Sequence, residues 1–289
     1  MSESTGSATA LAAKISRLFL YPIKGCRGIA LQSVDLAQTG LQLHGIGDRE
    51  WVVVDGDSEF LSQRELPKMA LIGTQLSSSA LSLTAPGMLK LEIPFASEGD
   101  VVRVRVWNDS VDAVTQGELV DQWFSDFLGA RARLMRFDPL AQRLSNRSYT
   151  GPLEAPYKFA DAFALLIANE ASLADLNARL KSGGHAEVDI DRFRPNIVLS
   201  GLAAFDEDHA SALQVGAAKL TVVKPCVRCT VPSVDPALGE QGTEPGATLA
   251  AFRTDAKAGG TTFGVNAVVE QGAGARLRVG DDAQIIVRF

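Results

Sequence analysis

The chain has 289 residues, enough to bury one large core or two medium ones. With 46% hydrophobic and 21% charged residues it has the composition of a soluble globular protein, and a formal net charge of -6 excludes a general nucleic-acid binder, because no broad basic surface offsets phosphate charge. A local basic pocket remains allowed. Three cysteines in this length do not make a disulfide framework and point to a reducing, cytoplasmic setting.

Residues Met1 to Lys14 are small and polar apart from the short run Ala8 to Ala13. They lack the basic start and long apolar stretch of a signal peptide, and Glu3 counts against a transit peptide. No run reaches the roughly 18 apolar residues of a membrane-spanning helix. Residues 1–13 therefore read as a disordered tail, with no membrane partner. Ile15 to Tyr21 is a β-rich run that stops at Pro22. Trp51 to Val54, then Asp55-Gly56, then Phe60-Leu61 reads as a hairpin. Val102, Val104 and Val106 alternate with Arg103 and Arg105, the mark of a strand with one buried face.

Helical signal is sparser. Val120 to Leu128 puts Val120, Trp123, Phe124, Phe127 and Leu128 on one face, with Gly129 as C-cap. Asn169 to Leu180 puts Leu173, Leu176 and Leu180 on one stripe, with Asn169 as N-cap and Gly183-Gly184 as terminator. Strands return over Asn196 to Ser200, Lys219 to Val223 and Gln284 to Phe289. Gly- and Pro-rich stretches lie between them, at Pro236 to Gly246 and Lys257 to Gly260. There is no internal repeat. The expectation is a mainly β protein with a few packed helices, in two domains that meet between Arg131 and Asp138.

The sharpest local feature is Lys224-Pro225-Cys226-Val227-Arg228-Cys229-Thr230. Two thiols three positions apart fit four readings. Half of a zinc site would need two more ligands, and Cys26, His44, His185 and His209 stand at no finger-like spacing. A redox pair would need a strand-to-helix setting. A single thiolate ligand to a soft metal would be favoured by Arg228, whose charge lowers a thiol pKa. Two buried structural cysteines are the bland case. Spacing alone leaves all four open.

The wider context adds six motifs in order. Tyr21-Pro22-Ile23-Lys24-Gly25-Cys26-Arg27-Gly28 and Gly47-Asp48-Arg49-Glu50-Trp51 come first, then Asn169-Glu170-Ala171-Ser172-Leu173-Ala174-Asp175-Leu176-Asn177 and Arg192-Phe193-Arg194-Pro195-Asn196-Ile197. Cys226-Val227-Arg228-Cys229 with Val234-Asp235-Pro236 follows, and last Phe263-Gly264-Val265-Asn266 with Arg278-Val279-Gly280-Asp281. From about residue 15 onward this series resembles the MOSC-domain family, and within it the group of the mitochondrial amidoxime-reducing component and its bacterial relatives.

The resemblance implies a β-barrel N-terminal domain over residues 14–133 packed on a β-barrel-like MOSC domain over 134–289. It implies a molybdenum-cofactor-dependent oxidoreductase that reduces N-hydroxylated compounds (amidoximes, hydroxylamines, N-hydroxylated bases) by oxygen-atom removal. Cys229 matches the cysteine that ligates molybdenum. Val227 and Arg228 match residues lining the pterin. Lys24, Gly25 and Arg49 match the N-terminal part of the cofactor pocket, and Arg194 and Asn196 its C-terminal part.

These residue types suit a cofactor that carries a phosphate and a polar pterin ring, since cations and an amide can bind both. Judged singly, Arg49 and Arg194 would instead read as surface or interdomain salt bridges. Gly25 stands where relatives often have serine. In the segment Phe159 to Phe163, Ala160, Ala162 and Phe163 carry no polar side chain, so main-chain contacts are expected there. Asp235 reads either as a proton donor or a supporting hydrogen-bond partner of the Cys229 loop, or as a turn cap before Pro236. The chain has too few cysteines for an iron–sulfur cluster, so electrons are expected from a separate ferredoxin- or flavin-type protein. The rival reading is a non-catalytic molybdenum-cofactor carrier, or a sulfur-relay module with a Cys229 persulfide.

Overall fold

A computed structural model describes residues 9–287 of the protein. Its first strand, Thr9–Leu20, is longer than the β-rich run Ile15 to Tyr21 suggests. Residues 9–13, expected in a disordered tail, pair with the C-terminal strand Asp282–Val287 from Thr9 opposite Val287 to Lys14 opposite Asp282. Tertiary pairing overrides the weak β preference of the alanines in this stretch. Residues 1–8, the rest of that expected tail, lie outside the described residues, as do residues 288–289 of the expected C-terminal strand.

The second half of Thr9–Leu20 pairs on its other edge with Ile197–Ser200, Leu18 standing opposite Ile197. This strand is thereby one stave of a closed seven-stranded barrel. The order runs Leu165–Asn169, Ile197–Ser200, Thr9–Leu20, Asp282–Val287, Ala210–Val215, Ala218–Val227 and Gly260–Gln271, which pairs back with Leu165–Asn169. Closure leaves no open edge between the staves. Ile15, Leu18, Ile167, Leu199, Leu213, Leu220, Val265 and Ile285 fill the interior.

The remaining strands form smaller sheets. Val101–Val106, Asp109–Thr115, Arg133–Phe137 and Trp51–Val54 make a four-stranded antiparallel half-barrel. Trp51–Val54 is buried on both faces, as its unbroken apolar run requires. Trp51 and Val53 pack with helix Glu118–Leu128 and the three-stranded sheet Gly73–Leu76, Ala80–Thr84 and Leu91–Pro94, while Val52 and Val54 pack with Phe137 and Phe159. Two further helices, Glu170–Ser182 and Gly246–Arg253, cover the outside of the barrel around Phe193 and Phe263. The fold is mainly β, with four α-helices among the described residues.

Both expected helices form where their caps place them. Gly129 takes the left-handed conformation at φ 69°, and the Asn169 side chain accepts from the Ala171 amide at 3.1 Å. Helix Gly246–Arg253 carries no comparable signal: it has no side-chain cap, starts on a glycine and buries Leu249 alone. The domain boundary expected between residues 133 and 134 falls inside strand Arg133–Phe137, which is zipped to Trp51–Val54 and to Asp109–Thr115. Strand Thr9–Leu20, expected to begin the first domain, is a stave of the seven-stranded barrel. Such long-range pairings leave no local trace in a sequence.

Glu207 ties the helix Glu170–Ser182 to the barrel. Its fully buried carboxylate accepts from Ser172 Oγ at 2.7 Å and Asn169 Nδ2 at 3.0 Å. Burial pushes its pKa above the ordinary 4.5, and the two donors only partly oppose this. The folded state therefore holds the proton more tightly than the unfolded chain. The stability that this proton confers is present below pH 4.5 and lost as pH rises through the folded pKa. Denaturant titrations across acidic to neutral pH are expected to show that decline in the wild type, and a flatter profile in Glu207→Gln.

Candidate functional site

A cavity of about 260 Å³ opens where the barrel meets the half-barrel. Its wall includes Lys24, Gly25, Arg49, Arg194, Asn196, Val227, Arg228 and Cys229 together, so all eight residues singled out from the sequence share one space. The chain positions them through four segments. Tyr21 to Cys26 leaves the end of the first stave, where the Lys24 amide donates to Trp51 O at 2.8 Å. Arg49 follows, its own amide donating to Tyr21 O at 2.7 Å. Phe193 to Asn196 leads into stave Ile197–Ser200, and Val227 to Cys229 leaves the end of Ala218–Val227.

Three of these residues sit in left-handed backbone. Gly25 has φ 84°, and the terminal carbon of Met69 lies 2.8 Å from where a Cβ would stand. Arg49 and Arg194 have φ 49° and 57°, which costs a side-chain-bearing residue roughly 1–3 kcal/mol and is a strain that gathers at binding sites. Buried Asp48 holds Arg49 by an ion pair and accepts from the Tyr21 amide at 2.9 Å. Arg49 also donates to Asn196 Oδ1 at 3.3 Å and to Arg194 O at 3.2 Å. Arg194 donates to Cys26 O at 2.7 Å and lies 4.3 Å over the Tyr21 ring.

Six basic side chains (Lys24, Arg49, Arg64, Arg194, Lys224 and Arg228) face one acidic one, Asp161, although the chain as a whole is acidic. Burial pushes Lys24 below the ordinary lysine range, and Asp161, paired with it at 2.5 Å, opposes the shift. Burial and then neighbouring Arg49 push Arg194 down as well. Burial also works against Arg49, but Asp48, with Tyr21 and Asp161, outweighs it and holds the guanidinium charged. Arg194 Nη2 and Arg228 Nε are buried without a hydrogen-bond partner. Buried donors of this kind are ordinarily satisfied, so a cluster of cations with orphaned N–H groups fits an anionic guest such as a phosphate.

The three cysteines are free. Cys26 is buried, which drives its thiol up to about 12 and makes it a packing residue. Cys229 is exposed on the cavity wall, open to a soft metal. Arg228, expected to act on the Cys229 thiol, instead donates to Cys226 Sγ at 3.1 Å and to Phe193 O at 2.9 Å, because its guanidinium folds back toward the strand. Gly260 makes room for Val227, whose Cγ1 lies 2.7 Å from where a Cβ would be. No group of three or more His, Cys, Asp or Glu side chains suited to a metal occurs among the described residues, which removes the support for the zinc reading.

Asn196 lines the cavity and also makes contacts within the protein. Its Oδ1 accepts from the Leu166 amide at 3.1 Å as well as from Arg49, so it ties two staves together and aims a cation. Asp235 takes the turn-capping option. It accepts from the Ala237 and Leu238 amides at 2.8 and 3.1 Å and pairs with Arg192 at 2.9 Å. Segment Phe159 to Phe163, from which main-chain contacts were expected, contributes the Asp161 carboxylate to the wall. Asp161 is the charged residue in that stretch, and its charge was the available signal. Arg64 gave no signal, and Lys224 stood in a motif read for its cysteines.

Comparison with known proteins gives the family. Residues 12–131 match the MOSC N-terminal beta barrel domain and residues 154–284 the MOSC domain. Mitochondrial amidoxime reducing component 2 of Bos taurus is 34% identical over 246 residues, which span 83% of this chain and 72% of that protein. The chain belongs to this family of MOSC-domain proteins. Component 2 of Rattus norvegicus is 32% identical over 249 residues, and component 1 of Homo sapiens 31% over 246, each spanning 83% of this chain and 72% of the relative. Five of the six motifs read from the sequence thus contribute residues to one cationic cavity with a free thiol in its wall, and the sixth, Asn169 to Asn177, forms a helix outside it.

If the orphaned guanidinium groups form an anion site, inorganic phosphate will stabilise the cofactor-free protein. A phosphate concentration a hundredfold above its Kd contributes about 2.7 kcal/mol, read as a rise in Tm. Arg194→Met is expected to lose most of that rise. An equal rise in both proteins, or none in either, would contradict the assignment.

Proposed function

We propose that the protein is a cytoplasmic molybdenum-cofactor-dependent oxidoreductase that removes the oxygen atom of N-hydroxylated compounds such as amidoximes. The observation that carries this reading is the free, exposed Cys229 thiol in the wall of a cavity that also gathers six cations, two of them with orphaned buried nitrogens. The names of the relatives support the reaction class.

The donor set fits the cofactor. Lys24, Gly25, Arg49 and Arg194 would hold its phosphate end, through three positive charges, the unpartnered N–H of Arg194 and a left-handed glycine that lets backbone approach closely. Asn196, Val227 and Arg228 would line the pterin, with the unpartnered N–H of Arg228 available to its heteroatoms. Cys229 would supply the thiolate ligand. When bound, the cofactor supplies two-electron redox chemistry and oxygen-atom acceptance.

The chain's own contributions are binding, orientation and electrostatics. Asp48 keeps Arg49 charged and in place, Asn196 aims it, and the closed barrel fixes the distance between the Lys24 and Cys229 turns. Electrons would arrive from a separate ferredoxin- or flavin-type protein. The free thiols suit the reducing compartment proposed here.

Protein loaded with cofactor is expected to convert benzamidoxime to benzamidine with a chemical reductant, and Cys229→Ala to lose roughly a hundredfold or more of that rate, at or beyond the losses seen when partners of a metal site are removed. Cofactor-loaded wild type that binds cofactor yet turns over no N-hydroxylated compound would instead make the protein a carrier. A Cys229 persulfide in metal-free protein would make it a sulfur relay.

A further inference from the structure

The function proposed above leaves two features without a role: Trp107 and the second oxygen of Asp161. Trp107 is the first of the two residues that turn the chain between strands Val101–Val106 and Asp109–Thr115, where Val106 pairs with Asp109. Its φ is 58°, in a turn position where glycine is the usual residue. A bulky side chain held in left-handed backbone points to a functional demand, since local stability alone would favour glycine there.

The ring is also held still while remaining open. Trp107 is 44% exposed, whereas Trp51 and Trp123 are buried. Its Nε1 donates to Asp161 Oδ1 at 2.9 Å, the Arg64 guanidinium lies 4.4 Å from the ring centroid, and the Phe60 ring lies at 5.0 Å. An exposed aromatic with a hydrogen-bonded edge and a fixed plane is a stacking surface that loses little entropy when a partner arrives.

Asp161 supplies the charge beside it. Its Oδ1 accepts from both Lys24, at 2.5 Å, and Trp107, while its Oδ2 has no hydrogen-bond partner among the described residues and the side chain is 70% exposed. It is the carboxylate of the cavity that also holds Cys229. A carboxylate oxygen with free lone pairs next to an aromatic face selects a planar cation bearing N–H donors. The edge of such a cation donates to the oxygen, and its face stacks on the ring.

We infer that Asp161 and Trp107 form an amidinium-binding subsite at the solvent end of the cavity and determine specificity for substrates and products of the amidine class. The inference deepens the N-hydroxy-reductase reading and rests on it for the substrate. An N-hydroxyamidine shares the planar N–C–N frame of its amidine product, so the same pair of groups orients the one and holds the other. Compounds without an N–H donor, or carrying an anion beside the N–O bond, gain nothing from Asp161 and are disfavoured by its charge.

Benzamidine tests this without turnover. Titrated into the purified protein, it is expected to bind by calorimetry and to change the Trp107 fluorescence. Asp161→Asn is expected to weaken binding on the order of ten- to a hundredfold, the range for losing a hydrogen bond between charged groups. Trp107→Leu is expected to weaken binding and to abolish the fluorescence change. Both variants should still gain Tm with inorganic phosphate, which reports that they are folded. No benzamidine binding to wild type, equal affinity in Asp161→Asn, or a fluorescence change that survives in Trp107→Leu would overturn the subsite. Benzamidine binding as described by a protein that neither holds molybdenum nor reduces amidoximes would uphold the subsite and defeat the functional reading instead.

Discussion

Closure of the seven-stranded barrel by the first strand is the constraint on which the rest of the molecule depends. Thr9–Leu20 lies between Ile197–Ser200 and Asp282–Val287, so the residues that follow it emerge beside the turns of the C-terminal half. Tyr21 to Cys26 then has no choice of neighbours. The Arg194 side chain reaches Cys26 O across 168 positions of sequence, and Arg49 reaches Asn196 across 147. Hydrophobic burial inside the barrel, from Ile15 to Ile285, stabilises this topology, and the polar cavity is a consequence of where the staves end.

The cavity itself opposes folding. Two arginines in left-handed backbone, a lysine whose charge is penalised by burial and two buried guanidinium nitrogens without partners all raise the energy of the cofactor-free state. Asp48, Asp161 and Asn196 offset part of this without neutralising the site. An anionic guest would relieve repulsion and satisfy the orphaned donors together, so the arrangement suits binding better than it suits stability.

Much of this was legible in the sequence, and unevenly so. The helices Glu118–Leu128 and Glu170–Ser182 announced themselves through periodicity and caps, and Val101–Val106 through alternation. Helix Gly246–Arg253 did not, because eight residues with one buried leucine carry no periodic signal. The early start of the first strand and the continuity of Arg133–Phe137 with Trp51–Val54 depend on partners far away in sequence. For the site, ordered motifs named the residues of the wall, while the direction of each side chain stayed hidden. Arg228 turning to Cys226, Asn196 spending its carbonyl on the wall and Asp161 facing the cavity are outcomes of packing.

We propose that this cavity holds a molybdenum cofactor through Cys229. The most direct measurement is molybdenum and pterin content of wild type and Cys229→Ala, both purified from a host that makes the cofactor. Roughly stoichiometric molybdenum with pterin is expected in the wild type, and an altered or lost metal centre in the variant. Zinc, or neither metal nor pterin, in wild-type protein from a host shown to load other molybdenum enzymes would contradict it.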